Sequence, residues 1–318
     1  MLQLLRMVRH PIRTYNQYIM KEKRVVRKNG TDGDKTYYVI RCNLPECGLF
    51  AIFMYVLDHV AFAVDNGYIP VLDIEQYECL YKEDQPVNGV RNPWNYYFKE
   101  LMPFDSKIIA KCKNVIYSPI KFLHYKAIYY YREKERNVLP GKERLQELKC
   151  LVDTYFPFTE DLNGKLKKDS EVLNRFNRLL GIHVRGTDMY TEGKQHPIPT
   201  GDTKDFSIID GLLQKHNLDG IFLCTDTNST VELFKEHYGE KLITTAAVRQ
   251  TDDSKGGIHK DGSLGGGREF HRYQLGLEVI TDMYLLSQCN VLLCGPSNVP
   301  FTALIYNGGE YDEVIYCT

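Results

Sequence analysis

The chain has 318 residues, enough for one large domain or two of ordinary size, and two is the reading adopted. Its 25% charged and 43% hydrophobic residues are those of a globular protein, and a net charge of −1 supplies no global field to draw nucleic acid. Nine cysteines, an odd number scattered along the chain, fit free thiols in a reducing compartment rather than a disulfide framework.

Charge is concentrated at the start, where residues 1–35 hold nine Lys or Arg against three Asp or Glu. Such a basic arm suits an anionic membrane surface or an anionic acceptor, and it equally suits a solvated helix and loop. The run Met1–Met7 is too short, and too soon interrupted by Arg6 and Arg9, for a signal-peptide core. No stretch approaches a membrane span. The expectation is a cytoplasmic protein, with peripheral contact at the inner face of a membrane left open. Asp32-Gly33-Asp34 looks like a metal-binding Asp-x-Asp but reads as a Gly-rich turn ahead of the first strand.

Lys35–Cys42 is that first strand, and a Pro/Gly turn then leads into a helix over Leu49–Val64, apolar on nearly every face. Asp65-Asn66-Gly67 ends the helix with Gly67 at the C′ position, and Tyr68–Asp73 is the next strand, so the chain opens with a βαβ unit. The only Trp lies in Asn92-Pro93-Trp94-Asn95-Tyr96-Tyr97-Phe98, a cluster suited either to stacking on a sugar or to packing a loop onto its domain. Onward to about residue 175 the chain reads as helical and charged, clearest over Tyr125–Arg136 and Gly141–Val152, with Lys165–Asp169 as a surface connection. The domain boundary is set there, giving domains 1–170 and 171–318.

From residue 178 strands and helices alternate. Strands are expected to His183 and Val184, at Gly220–Asp226, Lys241–Thr245, Asn290–Cys294 and Glu313–Cys317, with helices near Asp205–His216, Thr230–His237 and Tyr273–Gln288. That rhythm predicts an α/β, doubly wound parallel sheet, whose ligands bind at the carboxyl ends of its strands. Arg185 and Asp188, Asp226, and Ser297 with Asn298 all follow strands, so they converge on one crevice, unless they are polar simply because strand ends are exposed. The natural guest for a fixed guanidinium at Arg185 is a phosphate. No Walker loop is present and no Gly-x-Gly-x-x-Gly follows a strand, which speaks against an NTPase or a dehydrogenase. The Gly262–Arg268 run reads as a lid closing with Arg268 or Arg272, or as a plain surface loop. Cys289 and Cys294 are placed on one strand but on opposite faces, so no metal site is expected.

His183-Val184-Arg185-Gly186-Thr187-Asp188, continuing to Thr191-Glu192 and His196-Pro197, resembles the His-Val-Arg-Arg-Thr-Asp segment of the α-1,6-fucosyltransferase family, which includes core and bacterial nodulation fucosyltransferases. Four further stretches resemble the family in the same order: Thr225-Asp226, His271-Arg272-Tyr273, Asp282–Gln288 and Ser297-Asn298. Gly186 stands where the family has a second Arg, and the run from Arg185 to Glu192 is one residue shorter. The resemblance implies a GT-B-like pair of Rossmann-like domains and an inverting transfer of fucose from GDP-fucose to an oligosaccharide or glycolipid acceptor, without metal. It places the acceptor in the first domain and the donor in the second. Arg185 would bind the β-phosphate and Glu192 would be the general base. His183, Asp188, Asp226, Arg272, Asp282, Ser297 and Asn298 would bind the donor. A transferase of another GDP-linked sugar is the near alternative. The alternative from another class is a non-catalytic sugar- or nucleotide-binding protein, which could keep Arg185 but would not require Glu192.

Overall fold

The structure is a computed structural model that describes residues 21–102, 104–126, 139–185, 206–251 and 267–317. Two compact units divide the chain. One comprises Met1–Cys47, Ala51–Cys79 and Glu100–Tyr129, and the other Gly48–Phe50, Leu80–Lys99 and Tyr130–Thr318. The boundary expected at residue 170 thus falls inside the second unit, because the helices just before it pack on later helices of that unit.

The first unit is built on β2 (Thr31–Arg41), whose Tyr38, Val39 and Ile40 are fully buried. It lies parallel to β3 (Ile69–Asp73) on one side and to β4 (Cys112–Tyr117) on the other, with β1 (Lys23–Val26) antiparallel at the edge. One face packs Tyr37, Val39, Val71, Ile109 and Val115, Ile109 coming from the short α2 (Ser106–Ile109). The other face receives α1 (Leu49–Asp65), buried along most of its length as its all-round apolar composition requires. Gly67 sits at φ +68°, its N–H bonded to Val64 and that of Tyr68 to Ala63, which is the Schellman pattern expected of a C′ glycine. The sequence reading missed β1 and β4. In Cys-Lys-Asn-Val-Ile-Tyr the polar first half hides a strand that occupies the middle of the sheet. Asp32-Gly33-Asp34 is not a turn before the strand. It is a bulge within β2, with Asp32 and Gly33 at positive φ and Asp32 accepting from the Tyr37 hydroxyl at 2.9 Å.

The second unit holds a five-stranded, all-parallel sheet: β5 (Leu179–Val184), β6 (Gly220–Thr225), β7 (Leu242–Ile243), β8 (Val291–Cys294) and β9 (Glu313–Tyr316), in the order β7-β6-β5-β8-β9. The chain winds outward from β5 to β7, then returns to the other side of β5, so the sheet is doubly wound as expected and its switch point lies between β5 and β8. Two helices on one face, α5 (Ser207–Lys215) and α6 (Asn228–Tyr238), pack on Leu180, Ile182 and Val184. The opposite face carries α7 (His271–Ser287).

Three features of this unit differ from expectation. Lys165–Asp169 belongs to a helix, α4 (Glu160–Ser170), which follows α3 (Lys142–Tyr155); its charges form the solvent face while Leu162 and Leu166 are buried four residues apart. Cys289 precedes β8 instead of lying in it, and donates to the Leu285 carbonyl. After β8 comes an unanticipated helix, α8 (Asn298–Asn307), so apolar on all sides that it carries no amphipathic period. The expected helix over Tyr125–Arg136 lies almost entirely outside the described residues.

Of the two readings of the Trp94 cluster, packing is what the structure contains. Trp94 is 3% exposed, against Phe98 and Phe156, and the Tyr97 hydroxyl donates to the Tyr273 carbonyl at 3.0 Å.

Candidate functional site at the carboxyl edge of the second sheet

Alternation along β5 decides which residues share a face. Leu180, Ile182 and Val184 enter the core under α5 and α6, so Gly181 and His183 face α7. A Cβ at Gly181 would lie 2.9 Å from Leu286 and 3.0 Å from Cys289, so only glycine lets α7 come so close. His183, 5% exposed, stands in register with Cys224 of β6 and Cys294 of β8 at the carboxyl end of the sheet. Arg185 follows Val184, the last residue of β5.

Across the switch point, Ser297 caps α8, its hydroxyl accepting from the Val299 N–H, and Pro300 sits in the first turn where its missing N–H costs nothing. Ser297 and Asn298 are 2% and 8% exposed, and the buried Oδ1 of Asn298 accepts no hydrogen bond from the described residues. The first turn of a helix offers unsatisfied N–H groups and the positive end of a dipole, which favours an anion. The structure therefore brings the Arg185 end of β5 and the start of α8 to adjacent strands.

Asp282 of α7 stands against β6, the neighbour of β5 on the side away from β8. It is buried and takes a hydrogen bond from the Thr245 hydroxyl at 2.5 Å and a weaker one from the Cys224 thiol at 3.8 Å. Burial pushes its pKa up to about 6, and Thr245 and Arg249 work against that rise. Asp226 follows β6, and its carbonyl accepts from the Gln250 N–H at 2.8 Å.

Arg272 is not brought to this group. It lies ten residues from Asp282 along α7, about 15 Å of helix rise, and donates to the Lys82 carbonyl at 2.7 Å and to Asp84 at 3.3 Å. Arg268 forks onto Glu278 and donates to His271 Nδ1, so neither arginine of the expected lid is directed at the carboxyl edge. Gly262 to Gly266 of that lid lie outside the described residues, as do Asp188 and Glu192. Sequence reading missed Thr245 and Arg249. The available signal was one arginine inside the apolar run Ala246-Ala247-Val248-Arg249. Cys42, Cys112, Cys150, Cys224, Cys289, Cys294 and Cys317 are free thiols, and among the described residues no group of three or more His, Cys, Asp or Glu is arranged to hold a metal ion.

No family model and no curated protein matches the sequence. Among solved structures, the chain is similar to the fucosyltransferase NodZ from Bradyrhizobium, at 14% identity and TM-score 0.45, over 85% of this chain and 93% of that one. It is similar to a variant of Arabidopsis thaliana FUT1 in complex with GDP, at 13% identity and TM-score 0.46, over 91% and 72%. POFUT1 in complex with GDP-fucose is a third, at 9% identity and TM-score 0.43, over 91% and 99%.

Proposed function

We propose that this protein is a glycosyltransferase that moves fucose from GDP-fucose to a carbohydrate acceptor, with inversion and without a metal. The observation that carries the reading is that Arg185 and the Ser297-capped start of α8 follow the carboxyl ends of two neighbouring strands, β5 and β8, on either side of the switch point. Breaking the anomeric C–O bond puts growing negative charge on the leaving diphosphate. A guanidinium and a helix N-terminus aimed there stabilise that charge without a cation. His183, Asp226, Asp282 and Asn298 line the donor side, and Asp188 and Arg272 keep their donor assignment from the sequence resemblance alone. Glu192 takes the acceptor proton on the opposite face of the sugar, so one displacement inverts the anomeric centre. The acceptor, an oligosaccharide or glycolipid, is assigned to the first unit, whose basic edge strand β1 suits an anionic membrane surface.

A thermal-shift panel of GDP, GDP-fucose, UDP and ADP, with and without EDTA, tests the donor. Stabilisation by GDP and GDP-fucose that EDTA leaves untouched is expected. A preference for UDP that requires metal overturns the reading, and GDP stabilisation without transfer of any sugar points to the non-catalytic binding protein.

A further inference from the structure

A carboxylate as buried as Asp282 is costly to ionise, so the groups around it decide whether it works as an anion. From β6 it faces the Cys224 thiol, which burial keeps neutral by pushing its pKa well up. From its own helix it feels Glu278, which opposes ionisation and is itself held by Arg268. From the segment after β7 come Thr245 and Arg249, and of all these groups Arg249 alone acts on Asp282 as a cation.

Arg249 is 9% exposed and reaches the carboxylate through an intermediary. Its Nη2 donates to Thr245 Oγ1 at 3.4 Å, and the same hydroxyl donates to Asp282 Oδ1 at 2.5 Å. Arginine cannot accept and an ionised carboxylate cannot donate, so the chain runs in one direction, from guanidinium to hydroxyl to carboxylate. Each bond polarises the next toward the negative end. The guanidinium is also pinned, Nε to the Thr225 carbonyl at the end of β6 at 3.2 Å and Nη1 to the Ala247 carbonyl of its own segment at 3.1 Å, so its plane is fixed to backbone on both sides.

We infer that Arg249 is a positioning residue of the donor pocket, acting through the Thr245 hydroxyl to hold Asp282 as an oriented anionic acceptor for donor groups of the bound nucleotide. The pocket role rests on the nucleotide-sugar reading above; the link from Arg249 to Asp282 does not.

The test uses the full chain with aspartate-selective 13C carboxyl labelling, the Asp282 resonance being identified by its loss in Asp282→Asn. In Arg249→Gln the Asp282 titration midpoint moves up by about one pH unit or more, while Arg249→Lys restores most of the difference. Thr245→Val, which removes both the direct hydrogen bond and the link to Arg249, moves it the same way by at least as much, and carries the experiment if Arg249→Gln does not fold. Calorimetry with GDP between pH 5.5 and 8 gives the second readout. Affinity falls on acidification through the Asp282 midpoint, and the fall moves to higher pH in Arg249→Gln, so that a one-unit shift leaves binding about twofold weaker at pH 7 and approaching tenfold weaker at pH 5.5. An unchanged midpoint overturns the inference even when GDP binds normally. A shifted midpoint in a protein that binds no GDP at any pH overturns the nucleotide reading instead.

Discussion

Both units contain a sheet whose parallel strands reverse their winding, between β2 and β4 in the first, which also has the antiparallel edge strand β1, and between β5 and β8 in the second, yet their carboxyl edges use polar groups differently. In the first, Arg41 donates to the Ser118 carbonyl and to the Lys21 carbonyl at 2.8 Å. Asp58 accepts the backbone N–H groups of Tyr125 and Lys126. His59 gives its Nε2 proton to the Lys121 carbonyl at 3.1 Å, since a carbonyl can only accept, and so takes the Tyr38 hydroxyl on Nδ1 at 2.9 Å. These groups pin the backbone of 118–126. In the second unit Asp282 is held by two side chains, and Asn298 Oδ1 accepts from none of the described residues. A polar residue at a strand end is therefore weak grounds for a site until its hydrogen-bonding partners are known.

The sharpest break between the two edges is an arginine exchange. Arg185→Ala is expected to cut transfer by roughly 10²–10³-fold and to weaken GDP binding, with little change in unfolding. Arg41→Ala should destabilise its unit by roughly 1–3 kcal/mol, leaving the Ser118 carbonyl without its charged donor, while GDP binding stays as it was. Transfer assays, calorimetry and urea unfolding on both variants decide it, and full activity in Arg185→Ala sinks the assignment.

A pH series separates the edges next, because their buried groups titrate in opposite senses. Burial lowers His59 to about 4 from an ordinary value near 6.5. Its contribution is fully present above pH 6.5 and is lost as pH falls toward 4, at most about 3 kcal/mol. Asp282, raised to about 6 from an ordinary 3.8, does the reverse, its contribution being present below pH 4 and lost as pH rises through 6. Denaturation between pH 4 and 7.5 should show the acid-side loss vanish in His59→Phe and the neutral-side loss vanish in Asp282→Asn. The same sign of slope in both units contradicts this account.

The smallest effect compares two helix caps. Asp105 caps α2 by accepting from Lys107 N at 2.7 Å and Ile108 N at 3.3 Å, as Ser297 caps α8. Each alanine variant should cost about 1 kcal/mol by urea unfolding. Ser297→Ala alone should also weaken GDP, measured by calorimetry. Equal GDP affinity in the two variants removes Ser297 from the donor pocket.

What the sequence determined by itself was local. The apolar runs at 179–184, 220–225 and 291–294 could be read as strands, and Gly67 as a helix stop, because side-chain period and cap chemistry are written within a few neighbouring residues. The same locality placed Arg185, Asp226 and Ser297 at strand ends. Tertiary structure alone decided the rest. It inserted the half-polar β4 into the centre of a sheet and let an all-round apolar segment become α8. It carried Thr245 to Asp282, 37 residues away, and drew Arg272 to the Lys82 carbonyl, 190 residues away. Burial and long-range partners depend on how the winding of the chain brings distant segments together, and no window of neighbouring residues contains that.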